Sequence, residues 1–323
     1  MQILNRVPVP TGDILIVLGE RKKPLEMLSI GDYGKEKNLK ADFLGLSKEI
    51  RGVPHGKLLP LEEKWVITIS TQYGCSMGCT FCDVPKVGPG VNATFNDLIR
   101  QVLEGIKLHP EVKTTKRLNI HYARMGEPTW NPNVLDATKW LKTHIDPEYT
   151  IHPVVSTMMP RHNQWLKTFI HTWMRMKNRL LGGNAGLQIS LNSTDEDQRR
   201  KMFSGNACSL DEIAKVMEGI IPSGRKITLN VALADGYIVD PSILLQLFSP
   251  DDYLVKITPM HNTLACIEGQ LTTTGGYKEY YCYKELEEKL KAAGYDVIVF
   301  VPSREEDESK ITCGNAILAE RSH

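Results

Sequence analysis

Cys75, Cys79 and Cys82 stand on one short run, Gly74-Cys75-Ser76-Met77-Gly78-Cys79-Thr80-Phe81-Cys82, just past an apolar stretch at 65–70. Three thiolates so spaced can hold three irons of a [4Fe–4S] cluster and leave the fourth iron to a non-protein ligand. Electron-transfer clusters use four cysteines instead. An open coordination position points to chemistry at the metal, as catalytic zinc keeps one where structural zinc does not. A zinc knuckle would need a fourth Cys or His close by. No His lies between residues 56 and 108, and the next cysteine is Cys208. The other alternative is a chance group of buried thiols.

Such ligands need a scaffold, and the chain supplies a regular one. From residue 65 onward, β-rich runs at 65–70, 117–122, 151–156, 187–191, 227–233 and 253–258 alternate with helix-period segments. Leu98, Ile99, Val102, Leu103 and Ile106 make one apolar face, and Trp165, Leu166, Phe169, Ile170 and Trp173 another. Ser209-Leu210-Asp211-Glu212 reads as a capping box opening a helix. Alternating strands and crossover helices predict a parallel sheet. The expected fold class is α/β: a partial (β/α)6 TIM-type barrel, extended by a helix around 277–293 and a strand around 295–301. The expected division is a small N-terminal appendage at 1–64, the core at 65–265 and a C-terminal extension at 266–323. Parallel barrels carry their sites at the C-terminal ends of the strands. Cys75, Gly126-Glu127, Ser156, Ser190-Asn192, Asp235 and His261 each follow or end one of the six strands.

Composition sets the outer bounds. The 323 residues are 41% hydrophobic and 24% charged, ordinary for a folded protein. No apolar run reaches the roughly 18–20 residues of a membrane span, and the first residues lack a secretory pattern. Seven cysteines, three of them clustered, argue for a reducing compartment, so the expected address is the cytoplasm. A net charge of +1 neither requires nor excludes nucleic acid.

The C-x3-C-x2-C spacing, with Phe81 before the last cysteine, resembles the signature of the radical SAM superfamily. Further segments resemble its RlmN/Cfr methyl synthases. These are Ser70 to Cys75, Lys86, Gly88, Asn92 and Thr94 after the cluster run, Met125-Gly126-Glu127-Pro128, Ser156-Thr157 with Pro160, Ile189 to Asn192 with Arg199 and Lys201, and Ile311-Thr312-Cys313-Gly314-Asn315-Ala316. The resemblance implies a [4Fe–4S] cluster that binds S-adenosylmethionine (SAM) and cleaves it reductively to a 5′-deoxyadenosyl radical. It implies Glu127 on the methionyl ammonium, with Gly126, Ser156, Ser190, Asn192 and His261 as further cofactor contacts. Cys313 would be the methyl carrier, a nucleic-acid base or nucleotide the substrate, and flavodoxin or ferredoxin the reductant. No membrane partner is expected.

Two positions depart from the family pattern. Its second catalytic cysteine lies seven residues before the first cluster cysteine, where this chain has Thr68, and a hydroxyl cannot supply a thiolate. A family glutamate falls at His55, kept here as a catalytic candidate. Three functions follow: base modification with Cys313 as carrier, as in adenine C-methylation; hydrogen abstraction or rearrangement without methyl transfer; or a metal-binding module without catalysis.

Overall fold

The computed structural model describes residues 1–32, 49–50, 53–54, 58–145, 148–313 and 315–320. Ten strands build one sheet whose spatial order follows the chain. They are β1 (Gln2–Val9), β2 (Gly12–Leu18), β3 (Pro24–Gly31), β4 (Trp65–Ile69), β5 (Thr115–Tyr122), β6 (Tyr149–Thr157), β7 (Gly186–Ser190), β8 (Ile227–Leu233), β9 (Tyr253–Pro259) and β10 (Asp296–Val299). From β4 to β10 every neighbouring pair is parallel. Parallel neighbours need crossovers, and these are α1 (Phe95–Lys107), α2 (Asn133–His144), α3 (Leu166–Arg179), α4 (Glu196–Met202), α5 (Leu210–Met217), α6 (Pro241–Leu247), α7 (Leu264–Glu268) and α8 (Tyr281–Ala292). The expected α/β class, its six strands and the added seventh are all present.

Strand alternation separates two environments. On β4, Trp65, Ile67 and Ile69 are fully buried under the helices, while Thr68 on the opposite face is half-buried. Asn119 and His121 of β5 and Lys256 of β9 share that inner parity with Thr68. The sheet is therefore apolar outside, under its helices, and polar within.

β1, β2 and β3 pair antiparallel, and β3 pairs antiparallel with β4, Leu28 opposite Thr68, so these strands continue the barrel sheet. Ile14 to Val17, Leu25, Met27 and Leu28 are buried in the main core. The charged run at 304–308 forms a helical turn, α9 (Arg304–Glu308), capped by Ser303 and Glu306. α10 (Ala316–Glu320) ends the described chain.

Candidate cluster and cofactor site

The cluster run leaves β4 through Ser70, whose N–H and C=O are both taken by the buried Gln101 side chain of α1, at 2.9 and 3.0 Å. Gly74 then turns at φ +78°, and a Cβ there would stand 2.1 Å from the Gly88 carbonyl oxygen. That same carbonyl accepts from the Cys75 N–H at 3.1 Å. Beyond the turn the loop is braced from two sides. Ser204 Oγ and Asn206 Nδ2 donate to the Gly78 and Met77 carbonyls, and Thr80 N–H donates to the Met202 carbonyl. Thr263 Oγ1 donates to the Phe81 carbonyl, while Asp83 caps the start of α7 by accepting from Leu264 and Ala265 N–H. Phe81 packs edge-on against Phe203. A loop held by this many side-chain ties keeps its thiols in place before any ligand arrives.

The thiols face a hostile setting for charge. Burial pushes Cys75 up to about 11 and Cys79 and Cys82 well above the usual thiol range. Mutual repulsion adds to this: Cys82 and Cys75 act on Cys79, and Cys313 acts on Cys82. A bound metal reverses such a balance by deprotonating the thiols that ligate it. Among the described residues no three His, Cys, Asp or Glu side chains converge on a single ion. A cluster makes a different demand, one thiolate to each of three irons, and this donor set fits it.

Glu127 stands beside these thiols, raising Cys75 and Cys79 by its charge. Gly126 places it: at φ +90°, a Cβ would lie 2.4 Å from Gln72 Cβ. The Glu127 carboxylate is 2% exposed. Its Oε1 accepts from Thr129 N–H, Thr129 Oγ1 and Thr157 Oγ1 at 3.0, 2.7 and 2.8 Å. Its Oε2 accepts from Met158 N–H at 2.9 Å. Burial outweighs these bonds and holds its acidity below that of an ordinary carboxylic acid, with the pKa raised. With one donor against Oε2, that oxygen keeps acceptor capacity for a cationic ligand.

The other strand-end residues divide by what their side chains already do. Ser156 Oγ reaches Gln188 Oε1 at only 3.4 Å, and Ser190 is buried beside it on the next strand. Asn192 is engaged within the chain: at φ +60° it accepts from Ala232 N–H at 2.9 Å and donates to Met202 Sδ. Arg199, fully buried, donates to the Leu191 and Cys208 carbonyls and so secures the loop that carries Asn192. His261 Nδ1 meets Asp307 Oδ1 at 3.0 Å and the Tyr277 hydroxyl at 2.9 Å. Thr312 Oγ1 also donates to Asp307, at 2.9 Å. His55 lies outside the described residues.

Cys313 follows Thr312 and couples electrostatically to Cys82 and Tyr277. It lines a cavity of about 800 Å³ with Asp83, Met260, Asn262, Tyr277 and Lys278. Asp83, the residue after Cys82, and Cys313, separated by more than two hundred residues in the chain, thus line one cavity, whereas Cys75, Cys79 and Cys82 do not line it. Sequence reasoning missed Gln101, Asp83, Asp307 and Tyr277, which hold these parts in place.

No family model matches the chain. It is 27% identical over 207 residues to a dual-specificity RNA methyltransferase RlmN of Campylobacter lari, covering 62% of this chain and 53% of that protein. A second RlmN, from Sorangium cellulosum, is 28% identical over 261 residues, 77% of this chain and 61% of that one. The RlmN of Nitratiruptor sp. is 31% identical over 188 residues, 57% and 49% of the two chains. The chain thus matches about half to three-fifths of the length of these relatives. Among solved structures, a radical SAM methyltransferase from Sphaerobacter thermophilus superposes with a TM-score of 0.64 at 18% identity, over 93% of this chain and 76% of that one.

Proposed function

We propose, from the premise that this chain is radical SAM and RlmN/Cfr-like, that it is an enzyme modifying a base of a nucleic acid or nucleotide, with Cys313 as the methyl carrier. The observation that carries this reading is the position of Cys313, which lines a cavity of about 800 Å³ together with Asp83, the residue after Cys82. Cys75, Cys79 and Cys82 would hold a [4Fe–4S] cluster. When bound, that cluster supplies the electron that splits SAM into methionine and the 5′-deoxyadenosyl radical.

The chain's own residues supply orientation and exclusion. Glu127 Oε2 accepts the methionyl ammonium, with Gly126 fixing its approach. Ser156 and Ser190 offer hydroxyls at neighbouring strand ends, and Asn192 shapes the backbone next to them. His261 keeps its tie to Asp307 and Tyr277, which makes it a support for the Cys313 segment. The cavity admits a base swung out of its stack, and Lys278 and Lys310 at its lining are placed for phosphate. We assign the core to 65–265 and the Cys313-bearing extension to 266–323.

One observation favours a second reading, hydrogen abstraction or rearrangement without methyl transfer. Thr68 stands on the inner face of β4 beside His121, where a thiol is needed to release a methylated base from Cys313. Anaerobic purification followed by dithionite reduction with SAM tests both. Formation of 5′-deoxyadenosine is expected in either case, and its absence from cluster-loaded protein refutes both. A methyl or methylene mass on the Cys313 peptide supports the first reading; its absence beside 5′-deoxyadenosine leaves the second.

A further inference from the structure

Glu26, on the N-terminal strand β3, is a carboxylate with no solvent exposure. Its Oε1 accepts from Arg124 Nε at 2.6 Å, and Arg124 Nη2 reaches the same oxygen, the guanidinium side chain being 4% exposed. Its Oε2 accepts from the backbone N–H of Ile317 at 3.0 Å. The Glu26 carbonyl also accepts from Ser70 Oγ, at the end of β4. Three segments that meet at the site therefore converge on one residue: the start of the cluster run, the strand end leading to Met125-Gly126-Glu127, and the C-terminal segment after Cys313.

The C-terminal segment has a second tie. On the other side of Cys313, Thr312 Oγ1 bonds Asp307, and Ile311 N–H donates to the Glu306 carbonyl at 3.1 Å. Cys313 is thus set between an anchor at Asp307 and an anchor at Glu26. Ala316 and Ile317 are themselves buried, and α10 packs on β2 and β3.

A buried ion pair is a costly way to join two elements, because apolar residues of similar size often hold a core equally well. What it adds is direction. A carboxylate fixed by a guanidinium on one oxygen presents the other oxygen at a defined angle to a single N–H. We propose that Glu26 and Arg124 are positioning residues for Cys313, a buried latch by which the N-terminal strands set the C-terminal thiol against the cluster loop. This rests on the reading of Cys313 as the methyl carrier for its purpose, though not for its test.

The test is the alkylation rate of Cys313 by iodoacetamide, read peptide by peptide, in the full-length chain purified anaerobically with its cluster. Cys208 and Cys266, both buried, serve as internal references. Two variants are compared with the parent: Glu26→Gln, and the paired replacement Glu26→Leu with Arg124→Met. The single variant leaves a buried guanidinium without its counter-charge; if it fails to fold, the apolar pair carries the test. The expected result is a folded pair variant whose Cys313 labels roughly tenfold faster, equivalent to one charge-assisted hydrogen bond lost from a local opening, with Cys208 and Cys266 unchanged. An unchanged Cys313 rate in the folded pair variant overturns the proposal. Equal acceleration of all three thiols also overturns it, since the pair would then act only on global stability. A fast-labelling Cys313 in the variant, with no methyl mass in the parent, refutes the carrier reading and leaves the latch standing.

Discussion

Glu127→Gln separates a cofactor contact from a turn-capping residue. The side chain has three donors on Oε1 and one on Oε2, so the glutamine carbonyl oxygen takes the Oε1 place and the amide the other. There the amide N–H faces the Met158 N–H, donor against donor, 2.9 Å from where an acceptor stood. A buried donor left without a partner costs about 1–3 kcal/mol. Removing a fully buried carboxylate offsets part of this, because burial already disfavours the charged form. The net loss of folding stability is expected near 1 kcal/mol, a fall in Tm of about 2 °C for a chain of this size. Binding should suffer more. A hydrogen bond to a charged partner contributes about 1.5–3 kcal/mol, so SAM affinity falls roughly 10- to 150-fold.

Titration calorimetry of SAM into cluster-loaded protein, with scanning calorimetry of the same samples, reads both quantities. The pH dependence adds a signed check. The folded pKa of Glu127 is raised, so in the window from the ordinary carboxylate value up to that folded value the native state binds the extra proton. Stability there rises as pH falls, and SAM affinity weakens because the ammonium meets a neutral acid. Glutamine abolishes both slopes. An affinity within twofold of the parent, with only the Tm displaced, would refute the assignment of Glu127 to the cofactor.

Gly126→Ala is expected to destabilise by about 1–2 kcal/mol from the left-handed backbone alone, with a further cost from the 2.4 Å approach to Gln72 Cβ; chemical denaturation measures it, and a loss under 0.5 kcal/mol contradicts the geometry. Asp307 has a lowered pKa, since its bonds from His261, Thr312 and Asn262 outweigh burial. Its anchoring is therefore complete above the ordinary carboxylate value and lost as pH falls through the depressed folded one. Asp307→Asn should loosen 303–313 relative to the parent wherever the parent's Asp307 is ionised, seen as faster amide exchange there after correction for intrinsic rates, and the difference should vanish as pH falls through the depressed value; protection equal to the parent at neutral pH contradicts the anchor. Thr68→Cys is near-isosteric and should alter stability by about 0.5 kcal/mol or less. If the missing thiol is what blocks release, this variant alone yields a methylated base by nucleoside mass spectrometry, and no product leaves the block elsewhere.

The parallel strands were legible because each is covered on its outer face and reads as a compact apolar run, and the helices because their apolar faces repeat at helical spacing. Of the N-terminal sheet only β2 was, through its β-rich run Ile14 to Leu18. β1 is an edge strand exposed along most of its length, and β3 carries Glu26 inside an otherwise apolar run, which breaks the pattern. That charge was the available signal: a carboxylate within a strand of buried neighbours needs a partner. Arg124 lies 98 residues away, and nothing local reveals the pairing. The three thiols proposed to hold a cluster stand out by spacing alone, whereas the braces of their loop, Gln101, Asp83, Ser204 and Thr263, act through contacts set only by the fold. Asn192 shows the converse: its place at a strand end suggested a ligand contact, and its side chain also has a structural task, tied to Ala232 and Met202.

Thr68 replaces the reactive group but not its surroundings. Its register partner His121 is pushed down to about 3, by burial first and then by Lys256, Arg225, Lys64 and Arg117. The inner face around position 68 is thus a cationic setting that disfavours one more positive charge. The same field favours a negative one, lowering the pKa of any thiol placed there and opposing the effect of burial. At Cys79 and Cys82 burial and repulsion from other cysteines act together, and at Cys75 burial acts with the Glu127 charge, so a bound metal would be needed to make thiolates of them. A cysteine at 68 would instead be drawn toward its thiolate by fixed side chains of the barrel. The field is set by residues on β5 and β9 and in the segments leading into β4 and β8, so a single substitution at 68 leaves it intact. This is why Thr68→Cys tests release chemistry, and a thiol there that titrates no lower than an ordinary one would sink the argument.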